Sequence, residues 1–477
     1  MTPEEKAGQV ILPFFTGRDV EAHAKVIERL HLAGSIIMGD NVPVDAAGAV
    51  KPDAMRAVNQ RLAKASSGRP WPGIIAVDQE GGQVSRLGRP LTEWPSPMSY
   101  GAAGNGALAR LSGKALASEL AHLGFNMDFA PDADVTMGPK DPTIGARSFS
   151  ADPAVAASLS VEFSRGLLQA GILPSAKHFP GHGSVTADSH LSLPVQGAGR
   201  ARLEARDWKP FRAAVEAGVP MVMTGHIAVP ALESGVPASL SKATYGALRD
   251  FGFDGVAVTD ALNMSAVKGR YPDGQAAVLA LAAGADLLLM PADAAQAHAA
   301  VVQAVTNGVL SVERLDEAAV RVATMMHWRG RMGAPAGTPP GSGAALSSRV
   351  SAAAVTVLAG KCQGPLVPGA VRVTGGAPRD RALFAAAAGR AGLRMGSGPV
   401  VDLVGFGGRP GRGDIAVALD APWSLAGSPA PVKLAIYGRT PGAFDALAAV
   451  LAGKATAPGK LPAAVGRYPA GTGCPTK

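Results

Sequence analysis

Ile74-Ile75-Ala76-Val77-Asp78 and Val256-Ala257-Val258-Thr259-Asp260 share one pattern: four apolar or β-branched residues closed by a carboxylate. Runs of this length read as buried strands. Six more lie along the first two thirds of the chain, at Val10 to Phe15, Ser35 to Gly39, Asn126 to Ala130, Ser175 to His178, Met221 to Thr224 and Leu287 to Met290. Between the runs, stretches such as 19–33, 107–124, 153–171, 203–217 and 292–307 are rich in Ala, Leu and Val and long enough for helices. Eight strand–helix units within about 330 residues predict an α/β fold, a (β/α)8 TIM barrel with long loops. A doubly wound sheet is the competing fold. It carries a glycine-rich phosphate loop after its first strand, and Phe14-Phe15-Thr16-Gly17-Arg18 is not one.

In a barrel, functional residues sit at the C-terminal ends of strands. Asp78, Lys177 with His178, His226 and Asp260 all interrupt or follow apolar runs at such places. Any one could be a strand-end cap, but four positions on one rim point to an active site. Residues 334–348, Ala-Pro-Ala-Gly-Thr-Pro-Pro-Gly-Ser-Gly-Ala-Ala-Leu-Ser-Ser, break the rhythm and read as a linker. The expected division is a catalytic barrel over 1–333, the linker over 334–348, and a smaller α/β sandwich domain over 349–477.

Composition narrows the function. The chain has 477 residues, 47% hydrophobic and only 17% charged, against about 25% charged in an ordinary globular domain. It can bury a large core. The net charge of +8 does not signal nucleic acid, because Lys and Arg are scattered and not interleaved with aromatics. No apolar stretch is long enough to span a membrane. The N-terminal Met1-Thr2-Pro3-Glu4-Glu5-Lys6 lacks a signal-peptide core, which favours the cytoplasm. Cys362 and Cys474 are the two cysteines. They either form one bridge, which would favour export with the signal removed, or stay as buried thiols.

Residues 177–194 read Lys-His-Phe-Pro-Gly-His-Gly-Ser-Val-Thr-Ala-Asp-Ser-His-Leu-Ser-Leu-Pro. A strand end runs into a loop, and Asp188 lies two residues from His190, close enough to orient the imidazole for acid–base work. His178, His182, His190 and Asp188 have no helical His-x-x-x-His spacing and no cysteine nearby, so no metal is expected. Asp260 is costly to bury without partners; at a barrel mouth it can be a nucleophile or a base. Asp78 can accept bonds from two sugar hydroxyls, and the Gly81-Gly82 pair lets the chain turn beneath a ligand. Arg86 and Arg147 can donate to carbonyl or hydroxyl oxygens, with structural ion pairs as the alternative.

Together these segments resemble glycoside hydrolase family 3, specifically the NagZ-type β-N-acetylglucosaminidases. The resemblance rests on Lys6-Ala-Gly-Gln9, Asp78-x-Glu-Gly-Gly82 with Arg86, Ala130-Pro131, Arg147-Ser-Phe149, Lys177-His-Phe-Pro-Gly-His-Gly183, Asp188-Ser-His190 and Thr259-Asp-x-Leu262. It implies Asp260 as the nucleophile, His190 held by Asp188 as the general acid/base, and Asp78, Arg86, Arg147, Lys177 and His178 as ligands of the N-acetylglucosamine. His226, on the same rim, joins the expected substrate-binding set. No metal or organic cofactor is implied. The expected partner is a small carbohydrate, a muropeptide or chitin fragment.

Retaining hydrolysis needs a carboxylate nucleophile and a separate proton donor. A histidine donor has an unperturbed pKa of about 6.5 and does not repel an anion as a second carboxylate would. A phosphorylase using inorganic phosphate in place of water is therefore an alternative. A barrel aldolase with Lys177 as its Schiff-base amine and a non-catalytic sugar-binding protein are the others. Pro458-Gly-Lys-Leu-Pro462 resembles the end of the sandwich domain in two-domain family members, and this domain is expected to support or line the cleft. Gly405-Phe-Gly-Gly-Arg-Pro-Gly411 lacks nucleotide-loop spacing and reads as a turn. The sequon Asn263-Met-Ser265 reads as chance.

Overall fold

The computed structural model describes residues 1–333 and 337–475. The barrel strands are β1 (Ile11–Leu12), β2 (Gly34–Ile37), β3 (Ile74–Val77), β4 (Met127–Asp128), β5 (Leu173–Phe179), β6 (Met221–Thr224), β7 (Val256–Thr259) and β8 (Leu288–Leu289). Strands β2 through β7 pair in parallel in chain order. A parallel bridge joins Val258 of β7 to Leu287, and β8 pairs with β1. The N–H groups of Ala33 and Ile36 donate to the carbonyls of Ile11 and Pro13, which closes the ring. Helices fill the intervals; Asp152, for example, caps Pro153–Gln169 by accepting from the N–H groups of Ala154 and Val155.

Side-chain alternation along each strand sorts the core into two layers. Ile36, Ile74, Ala76, Leu173, Met221, Met223, Val256 and Val258 pack inside the barrel. Ile37, Ile75, Val77, Ala176, Val222 and Ala257 face the helices. The inward rows, continued past the strand ends, run 74, 76, 78; 173, 175, 177; and 256, 258, 260. The backbone period alone therefore carries Asp78, Lys177 and Asp260 to the mouth.

Residues 334–336, the start of the expected linker, lie outside the described residues. Thr338 donates its N–H to the Ser118 carbonyl, and the Gly343 N–H donates to Thr92 and Glu119. The rest departs from a linker: a helix begins at Ala344 and runs to Ala354. Once proline and glycine end at Gly343, Ala-Ala-Leu has strong helix propensity. Beyond it stand β9 (Thr356–Ala359), β10 (Ala370–Gly375), β11 (Arg394–Val404), β12 (Ile415–Ala418) and β13 (Val432–Ala435). They form one sheet in the order β9-β13-β12-β11-β10. It is parallel except for β9 against β13. This is the α/β sandwich.

One face of this sheet packs its own core around Phe384, Phe444 and Leu447. The other shares a core with barrel residues Met98, Ala102 and Ala146. Hydrogen bonds cross the junction from Ser96 N–H to Tyr437 O (2.8 Å), from Lys460 N–H to Ala102 O (2.9 Å) and from Ser150 Oγ to Pro462 O (2.8 Å). A disulfide joins Cys362 to Cys474.

Candidate active site

A cavity of about 340 Å³ opens at the C-terminal end of the barrel strands, lined by Asp78, Glu80, Arg86, Arg147, Lys177, His178, His182, His190 and Asp260, among others. The structure thus gathers residues separated by more than 180 positions. His178 has the wrong alternation for the mouth, but the β5–β6 register shifts between Ala176 and Phe179. Such an irregularity re-aims a side chain.

Charge is densely paired on one wall. Lys177 Nζ lies 2.9 Å from Asp78 Oδ1 and 2.7 Å from Glu80 Oε1. Arg147 donates to both Glu80 oxygens, at 2.9 and 2.8 Å, and stands 3.3 Å from Asp132. Arg86 reaches Asp78 at 3.5 Å. Burial alone would raise the pKa of Glu80, but Arg147 and Lys177 pull it below the ordinary carboxylate range. Burial likewise opposes the charge on Lys177, yet Asp78 and Glu80 raise its pKa above the usual lysine value. A Schiff-base nucleophile needs a neutral amine. The aldolase alternative therefore loses its motive: Lys177 is a clamped ammonium ion.

Asp260 follows β7 at the same mouth. Its Oδ1 accepts from the Ala261 N–H at 2.8 Å. Burial works against its charge, but His226, His178, this N–H and Lys177 outweigh it, and the pKa falls to about 2. The carboxylate is ionised. Asp188 Oδ1 lies 2.7 Å from His190 Nδ1 and also accepts the His190 N–H. Burial counts against Asp188, but both contacts from His190 lower its pKa. With Nδ1 engaged, Nε2 of His190 is the ring nitrogen left for the substrate.

His226 is placed differently from the other expected site residues. It is completely buried, with Nδ1 on Ser239 Oγ (2.6 Å) and Nε2 on the Ala261 carbonyl (2.8 Å). Its alternation explains this, since 221 and 223 face inward and 226 does not. It braces the Asp260 strand end through the Ala261 carbonyl and is not among the residues lining the cavity. The glycine pair also has another reason. Gly81 and Gly82 have φ of 93° and 60°, and a Cβ on Gly82 would lie 2.2 Å from Ser96 Oγ. The turn is tight because it packs against 94–96, where the second domain docks.

Several residues hold places in the site that the sequence did not assign them. Glu80 is the centre of the charged wall; His182 lines the cavity beside His178, with ring centroids 5.7 Å apart. Asp134 accepts His178 Nδ1 at 2.8 Å and fixes that ring. The ligand atoms of Asp132, Asp134 and His178 lie within 4.8 Å of one another, as a metal would need. They are otherwise engaged, however: Asp134 takes N–H bonds from His178 and His182, and Asp132 faces Arg147. Asn263 lines the cavity, a poor place for a glycan. The Gly405–Gly411 loop brings Phe406 against Gly145, whose missing Cβ would stand 3.0 Å from the ring. The second domain thus abuts the loop carrying Ile144 and Arg147.

A barrel mouth lined by an ionised carboxylate and a carboxylate-held imidazole offers a nucleophile and a separate proton donor, the two roles that retaining glycoside cleavage uses. The chain belongs to glycoside hydrolase family 3: residues 2–325 match the model of the glycosyl hydrolase family 3 N-terminal domain. It is 34% identical over 348 residues to the beta-hexosaminidase LpqI of Mycobacterium tuberculosis, across 68% of this chain and 83% of that one. It is 32% identical over 329 residues to beta-hexosaminidase A of Pseudoalteromonas piscicida, across 63% of this chain but only 54% of that one. It therefore spans about half the length of that relative. The structure superposes with a TM-score of 0.87 on a family 3 beta-N-acetylglucosaminidase from Paenibacillus sp. str. FPU-7, at 29% identity, covering 97% of this chain and 98% of that one.

Proposed function

We propose that the chain is a retaining exo-β-N-acetylglucosaminidase acting by double displacement. The observation that carries this is the pairing in one cavity of the ionised Asp260 with the Asp188–His190 dyad. Asp260 attacks the anomeric carbon as the glycosidic bond breaks. The bonding electrons go to the leaving oxygen, which takes a proton from His190 Nε2. The same nitrogen then takes a proton from water, whose oxygen displaces Asp260 from the sugar. Asp78, Arg86, Arg147, Lys177 and His178 hold the sugar; the clamped charges are already oriented, so binding costs little side-chain entropy. The names of the relatives support N-acetylglucosamine as that sugar. Muropeptide and chitin fragments are the proposed sources.

The second reading is phosphorolysis. It is favoured by an imidazole acid/base, which adds no permanent negative charge, and by the Lys177 and Arg86 cations that line the same cavity. Product analysis on N-acetylglucosaminyl-N-acetylmuramic acid and chitobiose, with and without phosphate, tests both. Free N-acetylglucosamine in both conditions supports hydrolysis; a sugar 1-phosphate that appears with phosphate supports the second reading; no cleavage of either substrate defeats both. Of the two compartments weighed, the Cys362–Cys474 disulfide supports export into an oxidising one.

A further inference from the structure

The dyad sits on a loop that the rest of the protein scarcely holds. Its stem is firm: Ser184 Oγ donates to Asp207, and the Ala228 N–H donates to Pro194 O. Between them, residues 186–193 are exposed or half-buried except Ser189, which is only 1% exposed. Asp188 and His190 bond each other, and the N–H groups of Leu191 and Ser192 return to the Asp188 carbonyl. All of these bonds are internal to the loop. Among the described residues, one hydrogen bond ties 186–193 to the rest of the protein: Ser189 Oγ to His182 Nε2, at 2.8 Å.

The other end of that bond is rigid. His182 is 1% exposed, its N–H donates to Asp134 Oδ1 at 2.6 Å, and its ring meets the edge of His178. Burial lowers the His182 pKa to about 3, so the ring is neutral and the bond does not depend on pH near neutrality. Ser189 lies between the two dyad residues in the chain. Drawing it inward leaves the side chain of His190 61% exposed, at the cavity. A loop fixed at both stems and once in the middle has far fewer orientations than one fixed at its stems alone.

We infer that His182 and Ser189 are positioning residues, a latch that sets His190 over the glycosidic oxygen. It rests on His190 being the acid/base, as proposed above. The latch touches no reacting atom, and its loss misplaces the proton donor without altering Asp260. A displacement near 1 Å is enough to cost a factor of about 10–100 in a positioned proton transfer.

The test compares Ser189→Ala, Ser189→Thr and His190→Ala on phenyl and dinitrophenyl N-acetylglucosaminides. The phenyl leaving group needs a proton; the dinitrophenyl group does not. In Ser189→Ala, kcat/KM should fall about tenfold or more on the phenyl glycoside and less than about twofold on the dinitrophenyl one. Threonine, which keeps the hydroxyl, should restore most of the loss. Equal losses on both substrates in Ser189→Ala, or no loss, overturn the latch. If His190→Ala itself shows no dependence on the leaving group, the acid/base assignment fails, and the latch with it. If His190→Ala shows that dependence and Ser189→Ala does not, only the latch fails.

Discussion

Replacing Glu80 with Gln removes one negative charge from between two buried cations. Glu80 is 2% exposed and accepts three charge-assisted bonds, from Arg147 Nε (2.9 Å), Arg147 Nη2 (2.8 Å) and Lys177 Nζ (2.7 Å). An amide keeps one acceptor and turns an NH2 toward a guanidinium or an ammonium, so at least one bond becomes a donor–donor clash. Asp78 stays 2.9 Å from Lys177, but Arg147 loses its bidentate partner, and burial pushes the Asp132 carboxyl well above the ordinary carboxylate range, so Asp132 does not replace Glu80. Leaving a buried cation uncompensated costs about 3–5 kcal/mol. The expected result is a loss of this size in urea unfolding of the full chain, followed by tryptophan fluorescence. A rise in KM of about tenfold or more should accompany it, because Lys177 and Arg147 line the cavity proposed to hold the sugar and lose their fixed geometry. A stability change under about 1 kcal/mol with unchanged KM would refute the view that Glu80 organises this wall.

His226→Ala should lower kcat about tenfold with KM nearly unchanged, because the ring braces the Asp260 strand end and is not among the residues lining the cavity; a rise in KM at constant kcat would place His226 in the binding set. The pKa of Asp260 is depressed to about 2, so the nucleophile stays ionised above that value and its charge is lost only as pH falls through it. For a dinitrophenyl glycoside no loss of kcat/KM between about pH 7 and about pH 4.5 should therefore trace to Asp260; an apparent pKa above 4 assigned to Asp260 contradicts this. The native chain should show no free thiol before reduction and two after it. Replacing both cysteines with Ser opens a loop of sequence separation 112 and should cost at most about 4.7 kcal/mol, read as a lower unfolding midpoint.

Much of this was legible because a strand has a period of two. The rows ending at Asp78, Lys177 and Asp260 continue the buried inner face, so these residues could be placed at the mouth from sequence. Glu80 lies two residues past Asp78, and the same period points to it. His226 breaks the row of Met221 and Met223, and that mismatch is the signal that it faces away. His178 breaks its row too, yet reaches the cavity through an irregularity in strand pairing that no local pattern announces. The contact of Ser189 with His182 depends on how a loop folds back, and the junction at Ser96, Gly82 and Tyr437 depends on how two domains dock. Neither leaves a periodic trace. The helix at Ala344 was hidden by the Pro/Gly segment before it.

The most direct test of the account is where a trapped sugar becomes attached. Incubation with a 5-fluoro N-acetylglucosaminyl fluoride, followed by proteolysis and peptide mass spectrometry, should find one fluorosugar ester on Asp260, lost in Asp260→Ala. A label on Lys177 or another carboxylate, or turnover in Asp260→Ala close to that of the unaltered chain, would contradict it.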